Sequence, residues 1–125
     1  NNKTLQIWEV PGNSAVYTVN VDYDGQSNVF FQMRYSDDLP GNKIDVYLDN
    51  IWKGSFTTER FEPGGWNAFG WDDEVIDLGI ISPGLHVMRL EVAEDGGESE
   101  GVNLDVFRLY TSPKNYLPLV LFQFP

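Results

Sequence analysis

Residues Gly101–Tyr110 read GVNLDVFRLY, a stretch of strand length with no internal Gly or Pro after its first residue. In a regular strand successive side chains point to opposite faces. Asn103, Asp105, Phe107 and Leu109 then share one face, with two polar groups at its start and two large apolar groups at its end. A half-buried strand alternates, and a fully buried one is apolar throughout. This stretch does neither, so what Asn103 and Asp105 do on that face bears on both fold and function.

Working outward, the whole chain is punctuated at short intervals. Pro11-Gly12-Asn13, Asp24-Gly25, Asp37–Asn42, Asp49-Asn50, Pro63-Gly64-Gly65, Ser82-Pro83-Gly84, Asp95-Gly96-Gly97 and Ser112-Pro113 carry turn residues, and the segments between them have strand length. Ala15, Tyr17, Val19, Val21 and Tyr23 alternate with Val16, Thr18, Asn20 and Asp22. Ile44, Val46 and Leu48 alternate with Asp45, Tyr47 and Asp49. Both are period-two patterns of half-buried strands. Further strands are expected over 5–10, 28–36, 51–58, 74–79, 85–93, 102–110 and 117–124, and no stretch of ten residues keeps a helical period without meeting Gly or Pro. About nine strands and no helix of note predict an all-β, antiparallel β-sandwich. Residues 1–125 form one domain, with 114–125 as its last strand or an extension.

Composition narrows the function. The net charge of −11, with eight Lys and Arg in all, excludes a nucleic-acid partner, because phosphate binding needs clustered basic residues. No apolar run reaches the ~20 residues of a membrane span, so no membrane partner is expected. Without cysteine there is no disulfide, thiolate metal site or Cys nucleophile. The acidity fits the solubility of a secreted or cell-surface protein, and a hard cation held by some of the carboxylates.

Taken in order, the segments VYTVNV, FFQMRYS, IDVYLDN, PGGWNAFGW, PGLHVMRLEV and GVNLDVFRLY resemble the carbohydrate-binding modules of families 6 and 35. The resemblance runs from about residue 15 to 110. It rests on Arg34-Tyr35-Ser36 after a strand, Gly64-Gly65-Trp66 with Trp71 close behind, Gly84-x-His86-x-x-Arg89-Leu90, and Asn103-x-Asp105. It implies a jelly-roll sandwich, a polysaccharide or oligosaccharide ligand and an appended catalytic domain. Carried over residue by residue, Asn103 bonds a sugar at the loop end of the sandwich. Tyr35 and one of Trp66 and Trp71 sandwich the sugar ring, and Asp105 turns to a structural calcium. The N-terminal strand contributes Glu9 as the further calcium ligand, although the family's Glu-x-Glu pattern is not recognisable in NNKTLQIWEV.

The chemistry is consistent with these roles. An amide offers donors and an acceptor together, which suits a pair of sugar hydroxyls, and a carboxylate suits calcium. A pyranose presents a face of C–H groups that a flat ring can cover. The competing structural reading has Asn103 and Asp105 capping backbone groups where a strand begins. Core filling is assigned to Trp8 and to Trp52, although Trp52 adjoins the Asp49-Asn50 turn. His86 lies in a strand pattern with Met88, Leu90 and Val92 and is read as a satisfied structural histidine. Adjacent acids such as Asp72-Asp73-Glu74 and the cluster over 94–100 are read as solvated loops rather than a glycosidase pair, so no enzymatic activity is expected. The alternative to a carbohydrate-binding module is a protein-binding, adhesion or purely structural sandwich.

Overall fold

The computed structural model describes residues 5–7, 14–93, 102–111 and 120–123. Its strands are β1 (Leu5–Ile7), β2 (Ser14–Val21), β3 (Asn28–Ser36), β4 (Lys43–Leu48), β5 (Ile51–Thr57), β6 (Gly70–Trp71), β7 (Ile76–Ile80), β8 (Gly84–Val92), β9 (Val102–Tyr110) and β10 (Val120–Gln123). They form two antiparallel sheets. One runs β1-β9-β3-β6, with β10 also on β9 and β7 also on β3; the other runs β2-β8-β4-β5. The sandwich is therefore as expected, with one strand more. The addition is Gly70–Trp71, two residues inside the segment read as too polar for a central strand. Trp8, Glu9 and the acidic cluster over 94–100 lie outside the described residues.

The conflict in GVNLDVFRLY is resolved by a β-bulge. In the β3–β9 pairing Arg34 faces Val106 while the next residue, Tyr35, faces Leu104, so Asp105 is an extra residue on β9. One extra residue reverses the phase of alternation beyond it. Before the bulge Val102 and Leu104 are buried and Asn103 and Asp105 are partly exposed; after it Phe107 and Leu109 are fully buried. The polar pair and the apolar pair thus occupy opposite faces of one strand.

Inward residues of both sheets make the core. Val29, Phe31, Met33 and Tyr35 of β3 meet Ile44, Val46 and Leu48 of β4 and Met88, Leu90 and Val92 of β8. Aromatic rings bridge the two sheets. Phe31 lies 5.4 Å from Phe107 and 6.4 Å from Phe56, and Tyr35 lies 5.8 Å from Phe56, separations at which tilted or offset rings attract beyond their burial. The β4–β5 hairpin closes through Asp49 and Asn50, with φ of 51° and 68°. Positive φ at both central positions is the demand of a tight hairpin turn whose twist matches its strands, and Asp and Asn meet it at low cost.

Candidate functional site

At the loop end of the six-stranded sheet the structure brings Asn103 and Trp66 together. Asn103 and Ser36 are cross-strand partners. Asn103 Nδ2 donates to the Trp66 carbonyl at 3.4 Å and Ser36 Oγ donates to the same carbonyl at 2.7 Å. Gly65 N donates to Asp38 Oδ1 at 2.8 Å, which fixes the loop a residue earlier. The Trp66 residue is partly exposed. Gly70 is required here by close approach: a Cβ on it would stand 2.4 Å from the Phe61 ring, which itself packs 5.2 Å from Tyr35.

Tyr35 does not join that site. It is 0% exposed, because residues of β3 alternate and Tyr35 falls in phase with Phe31 and Met33. Its hydroxyl donates to Asp72 Oδ2 at 2.5 Å and accepts from Glu59 N at 2.8 Å. Burial, then the neighbouring Asp72 carboxylate, push its ionisation far above the usual phenol range. A ring with both faces in the core cannot stack on a sugar, so the expected Tyr35–Trp sandwich is replaced by a structural Tyr35–Asp72 pair. Asp72 also accepts from Glu74 N at 2.6 Å. Its burial raises its pKa, and it serves the fold rather than a groove.

Trp71 is partly exposed on the outer face of the six-stranded sheet, opposite Arg34. Its ring lies under the Arg108 guanidinium at 4.3 Å, and Arg108 donates to Gln32 Oε1 at 2.9 and 2.5 Å. That cation–π contact covers one face of Trp71. Asp105 pairs with Arg34, whose guanidinium also sits 5.3 Å from the Phe69 ring. The guanidinium thus supplies a counter-charge beside Asp105 among the described residues, and Glu9, the other expected calcium ligand, lies outside them. Among the described residues no three His, Asp or Glu side chains gather to hold a metal ion. Asp105→Ala is accordingly expected to cost about 1 kcal/mol, the range of a partly solvated ion pair. The loss of melting temperature should be equal in calcium and in chelator; a difference between the two would bring a metal to Asp105.

The second surface is one that sequence reasoning missed. On the outer face of the four-stranded sheet Trp52 pairs with Tyr47, Tyr47 with Arg89 and Arg89 with Val16. The four side chains form one row across β5, β4, β8 and β2, roughly 15 Å long at the usual spacing of strands. Trp52 is 56% exposed, the one tryptophan so open among the described residues. Its indole N–H donates to Asp45 Oδ1 at 3.0 Å, so the ring is exposed and still held. The Arg89 guanidinium lies 3.8 Å over the Tyr47 ring and pairs with Glu91. Core filling thus fails for Trp52. A bulge puts it opposite Tyr47, with Lys53 as the extra residue. The legible signals were the adjoining turn and the phase of Tyr47, which alternates with Ile44, Val46 and Leu48. No pocket lies among the described residues.

No family model and no curated protein matches the chain. Solved structures do. A family 35 carbohydrate-binding module from Clostridium thermocellum matches with a TM-score of 0.63 and 15% identity over 84% of this chain and 75% of that one. The C-terminal CBM6 of LamC, a marine laminarinase from Zobellia galactanivorans, matches with a TM-score of 0.59 and 16% identity over 88% of this chain and 100% of that one. The cycloalternan-forming enzyme of Listeria monocytogenes gives a TM-score of 0.68 and 14% identity over 86% of this chain, which spans 9% of that enzyme. The fold is therefore the β-sandwich of family 6 and family 35 carbohydrate-binding modules, found both as a separate domain and as a small part of a much larger enzyme.

Proposed function

We propose that this domain is a non-catalytic carbohydrate-binding module that holds an attached secreted enzyme at a polysaccharide. The observation that carries the reading is Trp52, a large ring kept in solvent and fixed in orientation by Asp45. Exposing an indole forgoes burial worth a few kcal/mol, and pinning it in place spares a ligand the cost of ordering it. The paired Arg89 and Glu91 above Tyr47 extend the platform with polar groups that sugar hydroxyls can bond. The net charge of −11 disfavours polyanionic ligands and so favours neutral polymers over uronates. Trp66 with Asn103 provides a second contact at the loop end. The fold supports the reading, since the modules it resembles carry carbohydrate-binding names, and tethering raises the local concentration of substrate without bond breaking.

The test is binding to a panel of xylan, β-glucan, galactan, mannan and a uronate polymer, by affinity electrophoresis and by sedimentation with the insoluble forms. Retardation by at least one neutral polymer is expected. Absence of binding to every member would overturn the reading. It would favour a protein-docking face, for which the exposed Val16, Ile51, Leu85 and Val87 of the same sheet supply the apolar surface.

A further inference from the structure

His86 is 7% exposed, and both of its ring nitrogens face acceptors. Nδ1 lies 2.6 Å from Asp49 Oδ2, and Nε2 lies 2.6 Å from the Ser82 carbonyl oxygen. A neutral imidazole carries a single N–H and can satisfy one of these; the other nitrogen would set a lone pair against an oxygen. The geometry demands an imidazolium. Asp49 is bound to the next residue of β8 as well, its backbone N donating to the Val87 carbonyl at 2.8 Å and its Oδ1 accepting from Val87 N at 2.8 Å. Asp49 and Asn50 form the turn that starts β5, and Trp52 follows two residues later. Strand β5 ends the order of its sheet, with β4 as its partner there, so the turn sets where Trp52 begins.

We propose that His86 is a positioning residue for the Trp52 platform: bridging Asp49 and the Ser82 carbonyl as a cation, it locks the Asp49–Asn50 turn to β8, and loss of its proton loosens the hairpin that presents the ring. This rests on the carbohydrate reading only for its consequence in binding. The groups facing His86 are few. The β4–β5 turn contributes Asp49, and Lys53 further along β5 acts on Asp49 rather than on the ring. The Ser82 hydroxyl stands 3.3 Å from Nε2. On β2 its partner is the uncharged Val19.

The sign follows from the bonds. Burial works against the charge, but the hydrogen bonds to Asp49 and Ser82 outweigh it and the His86 pKa is raised. A group raised on folding contributes stability that is complete below its unfolded value near 6.5 and is lost as pH rises through the folded value. The bridge therefore holds in full below about pH 6.5 and opens as the pH rises through the folded value.

The experiment is an NMR titration of the ligand-free domain, following the His86 ring, the Asn50 amide and the Trp52 indole N–H, with melting temperatures across the same pH range for the parent and for His86→Gln. The His86 ring should titrate above 6.5, with the Asn50 and Trp52 signals moving on the same curve. The parent should lose melting temperature through that interval, and His86→Gln should show no such step. A His86 ring that titrates at or below 6.5, or Asn50 and Trp52 signals that stay fixed while it titrates, would overturn the proposal. If His86→Gln does not fold, the parent titration still decides. Sugar binding should weaken several-fold across the interval; failure to bind at any pH counts against the carbohydrate reading, whereas unchanged binding across a proven titration counts against the positioning role.

Discussion

A Trp52→Ala protein should remain folded and lose about 2 kcal/mol or more of binding free energy, roughly a thirty-fold weaker Kd, for whichever polysaccharide the parent retains. The two effects separate because the ring is mostly in solvent and contributes little core burial, so a surface substitution there should stay within ~0.5 kcal/mol of parental stability. Trp52→Phe keeps a ring but loses the bond to Asp45, and should retain part of the affinity. Trp66→Ala is the contrasting variant. Its carbonyl accepts from Ser36 and Asn103, so those bonds survive truncation of the side chain and its effect on binding should be smaller. Affinity electrophoresis and thermal unfolding on the same preparations check all three. Parental retardation by folded Trp52→Ala would end the case for this platform.

The second large effect is on stability. Tyr35→Ala removes a fully buried ring that touches both Phe56 and Phe61, and should cost about 3–5 kcal/mol through lost burial and a cavity. Tyr35→Phe isolates the hydroxyl. It leaves Asp72 Oδ2 and Glu59 N without the group that joins them, and should cost about 1–3 kcal/mol, the penalty of stranding buried polar atoms. Denaturant unfolding gives both values. Sugar binding of the folded Tyr35→Phe protein should match the parent's; selective loss of binding at unchanged stability would return Tyr35 to the ligand site.

Architecture was legible because it depends on period and punctuation, and both are local. The alternation over 15–23 and 44–49 reports which side of a strand meets the core, and the turn at Asp49-Asn50 needs no tertiary information. The site was less legible for a reason that GVNLDVFRLY makes plain. Whether an aromatic residue points inward or outward depends on phase, and one bulge reverses phase without leaving a mark in composition. Tyr35 continues the buried series of Phe31 and Met33, so its phase was readable and its motif position misled. Trp52 lies beside the bulge between Val46 and Tyr47, where counting alternate residues fails. Asp105 illustrates a third limit: its partner Arg34 is 71 residues away in the chain, and no spacing rule links the two.

The extra residue on β9 also changes what counts as a harmless edit of this gene product. In a regular central strand, excising one residue turns every later side chain to the wrong side. Here Asp105 is the surplus position between two segments that already face correctly, Val102–Leu104 and Val106–Tyr110. It also falls in the gap on the other flank, where β1 covers residues 102–104 and β10 covers 106–109. Excision of Asp105 would therefore leave Leu104 and Phe107 both facing inward with a single outward residue for each step, a shortening that the sheet can absorb by straightening. The same cut one strand away, within the unbroken alternation of Ile44, Val46 and Leu48, would turn part of the core into solvent.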